Sequence, residues 1–379
     1  MNTFGVRTRI FMGKCDLAHI YENVGRAFIV TDKFMAESGR VSYVTDQLEA
    51  AGIEYRVFSD IAPDPDISMI TAGIEQIKEF QPDVVFGFGG GSPMDAAKSI
   101  IFFAEKAYDI KDCKLIAIPT TSGTGSEVTK FAVISDREKG AKYPIIDAKL
   151  LPNAVVLDAS LVLSVPQKVT VDTGMDVLVH GIEAFVSTNA NDFSDADAEK
   201  AIRMVRRFLP RVYKDPNDIE ARQVMHNASC LAGLAFNNAS LGITHSMAHI
   251  LGARAHIAHG RANAILLPYV IEFNAGVSRG KNAPNAAAER YADIAHIMHI
   301  DSASTRQSVI NLLKYIKKFE ADLGVEPTIA AAGVDETFFK ANVDEMAEIA
   351  LDDSCTKTNP TPCTAKDIRE LFMKAYYGH

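Results

Sequence analysis

Histidines at positions 245, 249, 256 and 259 put four of the chain's ten imidazoles within fifteen residues, in the stretch NNASLGITHSMAHILGARAHIAHGRANAILLPYVIEF (237–273). His245 and His249 are spaced to share one face of an α-helix, roughly 6 Å apart. His256 and His259 follow Gly252, where the helix is expected to break. A core that needs only volume uses Leu or Met, so imidazoles clustered between apolar turns point to a metal or to a proton. Upstream, TVDTGMDVLVHGIEAF (170–185) carries a second such pair, Asp176 and His180, among Val177, Leu178, Val179 and Ile182. An aspartate inside an apolar helix needs a cation or a partner. One aspartate with two or three histidines, from two helices, makes a four-ligand set without thiolate. It suits Fe(II), Zn(II), Mn(II) or Ni(II) and argues against a structural zinc site built on cysteine. Spacing alone does not say which histidines join Asp176 and His180.

A glycine turn supplies the second chemistry. PDVVFGFGGGSPMDAAKSI (82–100) reads as strand, turn and helix, with Ser92 suited to the N-cap, Pro93 to N1 and Asp95 to N3. Gly89, Gly90 and Gly91 would let backbone amides approach a diphosphate at the positive end of that helix. LIAIPTTSGTGSEVT (115–129) repeats the pattern, offering hydroxyls from Thr120, Thr121, Ser122, Thr124 and Ser126. Two such turns on one sheet suggest a dinucleotide. Asp32 ends the strand RAFIVTD, where an open parallel sheet binds ligands, and a carboxylate there favours NAD(H) over NADP(H). It precedes the glycine turn by more than fifty residues, so this is not the usual G-x-G-x-x-G unit.

These groups need a frame, and the pattern provides two. Up to about residue 165, β-rich runs (26–31, 55–58, 83–88, 115–119, 131–135 and 154–158) alternate with helical patterns, which predicts a mostly parallel sheet with helices on both faces. Beyond Pro166, helical periodicity dominates, as in DAEKAIRMVRRFLP and STRQSVINLLKYIKKFEADLG. The expected domains are an α/β nucleotide-binding domain over 1–166 and an all-α metal-binding, catalytic domain over 167–379.

The chain is 47% hydrophobic with a formal charge of −9, and it lacks basic runs, which weighs against nucleic acid or an anionic membrane surface. No apolar run approaches the ~20 residues of a membrane span, and no signal peptide is visible. Cys15, Cys113, Cys230, Cys355 and Cys363 are scattered, as thiols in a reducing compartment are, so a cytoplasmic protein is expected.

Taken together, VTDK (31–34), GGGSPMDAAK (89–98), PTTSGTGSE (119–127), GMDVLVHGIEA (174–184), the histidine stretch and TNPTPC (358–363) resemble the iron-containing, or group III, alcohol dehydrogenases over nearly the whole chain. The resemblance implies a dehydroquinate synthase-like fold, NAD, and one divalent metal, Fe(II) first and Zn(II) second, with a cleft between the two domains. It places the ligands on Asp176, His180, His245 and His259, and leaves His249 beside the nicotinamide in a catalytic role. It also implies cofactor contacts from Asp32, Pro63, Gly90, Gly91, Ser92, Asp95, Thr120, Thr121, Thr124, Thr129, Lys142 and Leu161. Ala258 and Tyr269 depart from the family pattern, which has Pro and His there.

The opening MNTFGVRTRIF looks most like enzymes of propanediol or ethanolamine breakdown. The function this implies is NAD-dependent interconversion of short-chain primary alcohols and aldehydes, by a homodimer or larger oligomer that associates with a bacterial microcompartment. The metal would polarise the substrate oxygen while hydride passes between carbon and nicotinamide. The alternatives are a glycerol- or propanediol-type polyol dehydrogenase and a nucleotide-binding protein without turnover; the related glycerol-dehydrogenase or dehydroquinate-synthase type, which shares the GGGS turn but uses another ligand set, is disfavoured by the Asp176/His180 and His245/His259 spacing.

Overall fold

The computed structural model describes residues 4–17, 20, 24–108, 110, 113–137, 141–277 and 286–378. The described chain divides into two compact units, one over Gly5–Ser164 and one from Val165 onward that also includes Phe4.

The first unit runs β1 (Arg9–Met12), β2 (Arg26–Asp32), α1 (Lys33–Glu37), α2 (Ser42–Ala50), β3 (Glu54–Ile61), α3 (Ile67–Phe80), β4 (Val84–Gly89), α4 (Gly91–Ala107), β5 (Lys114–Pro119), β6 (Phe131–Asp136), β7 (Ala141–Ile146) and β8 (Ala154–Leu157). Six strands form one parallel sheet in the order β1-β8-β5-β4-β2-β3. Successive side chains feed opposite faces. Ala27 and Ile29 of β2 join Val84, Phe86 and Phe88 of β4 in one core, while Phe28, Val30 and Val85 join Ile70, Ile77 and Ile100 in the other. A sheet covered on both sides explains why these strands read as near-continuous apolar runs.

Strand β2 leads outward to β3, and the chain then returns to place β4 on the other side of β2. The order therefore reverses between β2 and β4, and both Asp32 and Gly89 sit at the carboxyl ends there. That is where open α/β sheets bind ligands.

The run at 131–135 belongs elsewhere. As β6 it pairs antiparallel with β7 in a separate two-stranded sheet. Its exposed Val133 and intermediate Phe131 show the alternation of a half-covered ribbon rather than of a buried parallel strand. Strands β1 and β7 were not anticipated from the sequence.

The second unit is helical: α5 (Gln167–Val186), α6 (Asp192–Lys214), α7 (Ile219–Ala239), α8 (Ile243–Ala255), α9 (His259–Ala275), α10 (Ala286–Ile297), α11 (Thr305–Asp322), α12 (Glu336–Asp352) and α13 (Ala365–Tyr377). Helix α6 is amphipathic and buries Ala198, Ala201, Ile202, Val205, Leu209 and Val212 on one stripe. Each buried Ile, Val or Leu contributes about 1.5–3 kcal/mol. Asn191 caps it in a reciprocal box with Ser194. Helix α5 is different. From Thr170 to Val186 all but Thr173 is buried, as in a helix enclosed on all sides. Its polar residues Asp172, Asp176, His180 and Glu183 recur at three- and four-residue spacing, so they form one stripe. Among the described residues, no helix is long and apolar enough to cross a membrane.

Candidate metal and nucleotide sites

The stripe on α5 meets the start of α8 and the start of α9. Helix α8 does not break at Gly252, as the sequence suggested. It continues to Ala255 and ends where His256 adopts a left-handed conformation (φ 55°), its amide donating to the Gly252 carbonyl. The close carbonyl of Ile257, 3.1 Å from where a Cβ on Gly252 would lie, explains the glycine instead. The turn then lets α9 begin at His259. Gly260 follows, and here glycine is needed for space: a Cβ would lie 2.0 Å from the Asp172 carbonyl oxygen and 3.1 Å from the Asp176 Cβ. The two backbones touch, and His259 is carried to Asp176.

Asp176, His180 and His245 are buried, and each offers a ligand atom within 4.8 Å of the others. His245 Nε2 and His259 Nε2 both lie 3.7 Å from Asp176 Oδ1. The His180 ring stacks on those of Phe236 and His245, with centroids 4.5 and 4.6 Å away. Among the described residues, His180 Nδ1 and His245 Nε2 are buried without a hydrogen-bond partner. An orphaned imidazole nitrogen 3.7 Å from a buried carboxylate, with another on the neighbouring His180 ring, is expensive to bury. A divalent ion among Asp176, His180 and His245 that took the His245 Nε2 lone pair would satisfy that nitrogen, so the residues fit such an ion.

The electrostatics agree. Burial would raise the Asp176 carboxyl, but His180, His259 and His245 together hold it far below the usual range. Burial pushes His180 down to about 4. Against burial, the carboxylates of Asp176 and Glu183 push His245 up to about 9. The pocket favours positive charge at that imidazole.

His249, one turn along α8, faces elsewhere. Its Nδ1 lies 2.8 Å from Asp353 Oδ2, its side chain is 45% exposed, and its ring stacks on that of His259 at 5.4 Å. Asp353 also accepts from the Cys355 amide at 2.8 Å. Burial raises its carboxyl, but His249 and the Cys355 amide bring it down to about 2, so it is an acceptor at neutral pH and His249 Nδ1 carries the hydrogen.

Three side chains of this region escaped the sequence reading. Glu183 lies 2.7 Å from His245 Nδ1. Asn263, one turn after His259, donates to Asp176 Oδ1 at 2.7 Å. Asp353 is distant in sequence. For Glu183 the signal existed, because it lies seven residues after Asp176 and three after His180, on the same helical stripe.

In the first unit, the two glycine and threonine turns come together at the ends of adjacent strands. Gly89 has φ +150°, and a Cβ there would meet Pro93 at 2.6 Å and Asp32 Oδ2 at 3.4 Å. Asp32 therefore points one oxygen at the glycine turn, while Oδ1 accepts from the Met35 amide as the N-cap of α1. The cap of α4 differs from the expected one. The helix starts at Gly91 with Gly90 as N-cap and no side-chain cap bond, so Ser92 is already its second residue. An extended Gly90 turns the chain into the helix earlier than a serine cap would, and leaves the first amides without a side-chain acceptor. Ser92 Oγ instead accepts from the Asp64 amide at 3.3 Å, tying down the exposed loop that holds Pro63.

Thr121 and Thr124 approach where Cβ atoms on Gly90 and Gly91 would stand, at 3.5 and 3.0 Å. The Thr120 amide donates to the Gly89 carbonyl. Leu161 lies in the sheet core. Lys142 pairs with Ser135 in the backbone register of β7, and its side chain lies outside the described residues.

Asp95 and Thr129 turn inward. Asp95 accepts from Ser126 Oγ at 2.6 Å and from the Val133 amide at 3.0 Å. Buried Lys98, which sequence reasoning missed, donates to Ser126 Oγ, to the Thr129 hydroxyl and to the carbonyls of Thr129 and Phe131. Burial lowers Lys98 to about 8 and raises Glu127 to about 7. This buried network straps the second turn to α4. A lysine inside the apolar run AAKSIIFF was its one visible signal.

Comparison with known proteins agrees with this geometry. The model of the iron-containing alcohol dehydrogenases matches residues 7–159, and that of the C-terminal part of the Fe-containing alcohol dehydrogenase family matches 170–376. The chain is 44% identical to the 1-propanol dehydrogenase PduQ of Salmonella typhimurium, over 98% of this chain and 99% of that one. It is 41% identical to an aldehyde-alcohol dehydrogenase of Streptococcus pneumoniae, over 94% of this chain but only 44% of that larger protein. It is 39% identical to an NADPH-dependent butanol dehydrogenase of Clostridium saccharobutylicum, over 100% of this chain and 99% of that one. Among solved structures, a 1,3-propanediol oxidoreductase superposes with a TM-score of 0.91 at 32% identity, covering 99% of this chain and 100% of that one. The chain belongs to the iron-containing alcohol dehydrogenase family, and it is an alcohol dehydrogenase of that family close to the propanol dehydrogenases.

Proposed function

We propose that the protein interconverts short-chain primary alcohols and their aldehydes with NAD(H), using one Fe(II) held by Asp176, His180, His245 and His259. The observation that carries this reading is the buried carboxylate and imidazole cluster with two orphaned ring nitrogens. When bound, a divalent ion supplies Lewis acidity toward a substrate oxygen. The chain's own residues do the rest. Asp176 supplies the compensating charge, and Asn263 holds that carboxylate in place. His249 is the catalytic imidazole, its Nδ1 kept by Asp353 so that Nε2 is free to exchange a proton. Asp32 receives the ribose hydroxyls, and Gly90, Gly91 and Ser92 admit the diphosphate to the start of α4. Thr120, Thr121 and Thr124 line the neighbouring turn, with Asp95, Thr129 and Lys98 bracing it.

The reading assigns nucleotide binding to residues 1–166 and metal binding and catalysis to residues 167–379. Pro63, Lys142 and Leu161 belong to the proposed coenzyme contacts. Residence in the cytoplasm, assembly as a homodimer or larger oligomer, and association with a bacterial microcompartment complete the proposal.

The test is an anaerobic assay of NADH absorbance on protein reconstituted with Fe(II), using propanal, acetaldehyde, butanal, 1,3-propanediol and glycerol. Turnover of the aldehydes that disappears on chelation and returns with Fe(II) is the expected result. Faster oxidation of 1,3-propanediol or glycerol would move the assignment to a polyol dehydrogenase, the reading favoured by the structural likeness to 1,3-propanediol oxidoreductase.

A further inference from the structure

Glu183 is 2% exposed and gathers the donors at the start of α8. Its Oε1 accepts from the Thr244 amide at 2.7 Å. Its Oε2 accepts from the Gly242 amide at 3.0 Å and lies 2.7 Å from His245 Nδ1. Backbone amides can only donate, so both oxygens act as acceptors and the ring nitrogen facing Oε2 must carry a hydrogen. A neutral His245 then has its lone pair on Nε2, the nitrogen that lies 3.7 Å from Asp176 Oδ1 without a hydrogen-bond partner. Gly242 makes the approach feasible, because a Cβ there would stand 2.9 Å from Glu183 Oε1.

The geometry points to Glu183 as a positioning residue: it fixes the tautomer and ring orientation of His245 so that Nε2 is presented to the divalent metal, and with the same carboxylate it caps α8. This rests on the ligand set proposed above. One carboxylate on α5 thus sets two features at the start of α8, where His245 lies 62 residues further along the chain: the register of α8 against α5 and the direction of the His245 lone pair. A partner of this kind raises the basicity of the imidazole it holds, and its loss costs roughly 10–100-fold in metal affinity.

The experiment compares the full-length protein with Glu183→Leu, which fills similar volume but accepts no hydrogen bond. Co(II) is titrated against a competing chelator, its visible spectrum is recorded, and NADH binding is measured on the same samples. The expected result is Co(II) binding weakened about 10–100-fold with an altered visible spectrum, while NADH binding is kept. Co(II) affinity within twofold of the parent and an unchanged spectrum would overturn the inference, even if the metal-free protein melted earlier, since Glu183 would then be only a helix cap. His245→Ala separates the two readings. If it loses Co(II) while Glu183→Leu keeps it, only the role of Glu183 fails; if it also keeps Co(II), the ligand set itself fails. Should Glu183→Leu not fold, nitrogen-15 histidine spectra of the unmodified protein decide. In the protein loaded with diamagnetic Zn(II), hydrogen on Nδ1 of His245 with Nε2 bare supports the inference, and hydrogen on Nε2 with Nδ1 bare overturns it.

Discussion

Under the proposed function, a single carboxyl oxygen at the end of β2 separates two coenzymes. Asp32 spends Oδ1 on the Met35 amide and keeps Oδ2 beside Gly89. A 2′-phosphate near that oxygen would meet like charge, a repulsion of a few kcal/mol at the dielectric of a protein surface. Asp32→Asn keeps the cap of α1 and removes the charge. The ratio of kcat/KM for NADPH over NADH should rise by roughly 10–100-fold, each factor of ten corresponding to about 1.4 kcal/mol. An unchanged ratio would assign coenzyme choice to another residue, and the similarity to an NADPH-dependent relative makes the measurement pointed. The place of Asp32 at the end of β2 was legible because a strand end and a charge are both local. His245 and His249 were not separable that way. Their spacing is identical to either side of a turn, and only the carboxylates that reach them, Glu183 from α5 and Asp353 from beyond α12, distinguish the two rings.

At the scale of elements, contact distance decides more than propensity does. The i,i+4 patterns correctly announced α5 and α8, yet the meeting of α9 with α5 depends on Gly260, whose role no periodicity reveals. An added methyl there would have to move from 2.0 Å to ordinary contact at about 3.4 Å from the Asp172 carbonyl, a shift of over 1 Å. Gly260→Ala should therefore lower stability by about 1–3 kcal/mol, as overpacking does. It should also weaken metal binding at least tenfold, because His259 is displaced with the start of α9. Wild-type metal affinity in a destabilised Gly260→Ala protein would take His259 out of the ligand set.

Helix α11 poses a different question. Glu320 is 5% exposed, and among the described residues its Oε1 has no hydrogen-bond partner. Burial raises its carboxyl well above the ordinary value of 4.5, with Lys317 pulling the other way. A carboxyl raised in the folded state contributes stability that is complete below the unfolded pKa and is lost as pH climbs through the folded one. Glu320→Gln removes that loss. Its melting temperature should exceed the parent's at pH 8 by at least ~2–4 °C, the shift that 1 kcal/mol gives a unit of this size. Near pH 4.5 the advantage should vanish. An equal advantage at both pH values would trace the effect to packing rather than to the proton.

The whole molecule contains two units whose sequence signatures had very different clarity. Alternating strands and helices made the first unit readable, because a sheet buried on both faces writes its apolar runs directly into the chain. Strands β1 and β7 escaped because each is short or carries mixed character, and β6 was read as one more sheet strand because a run of five residues does not encode its partner. The second unit showed helices but not their packing. Its buried polar stripe on α5 places Asp176, His180 and Glu183 where desolvation opposes folding unless each is paired. A divalent ion bound to the folded cluster and not to the unfolded chain would stabilise this unit by about 2.7 kcal/mol at a free concentration a hundredfold above its dissociation constant. Chelation should therefore lower its melting temperature by roughly 5–10 °C. Hydrogen exchange locates the effect. Peptides from α5, from the first turns of α8 and from α9 should lose protection when the metal is removed, and regain it when Fe(II) is returned. Addition of NADH should protect the turn between β4 and α4. If chelation left the exchange of α5 and α8 unchanged while activity disappeared, the ion would sit outside the Asp176 cluster, and the orphaned nitrogens of His180 and His245 would need another partner.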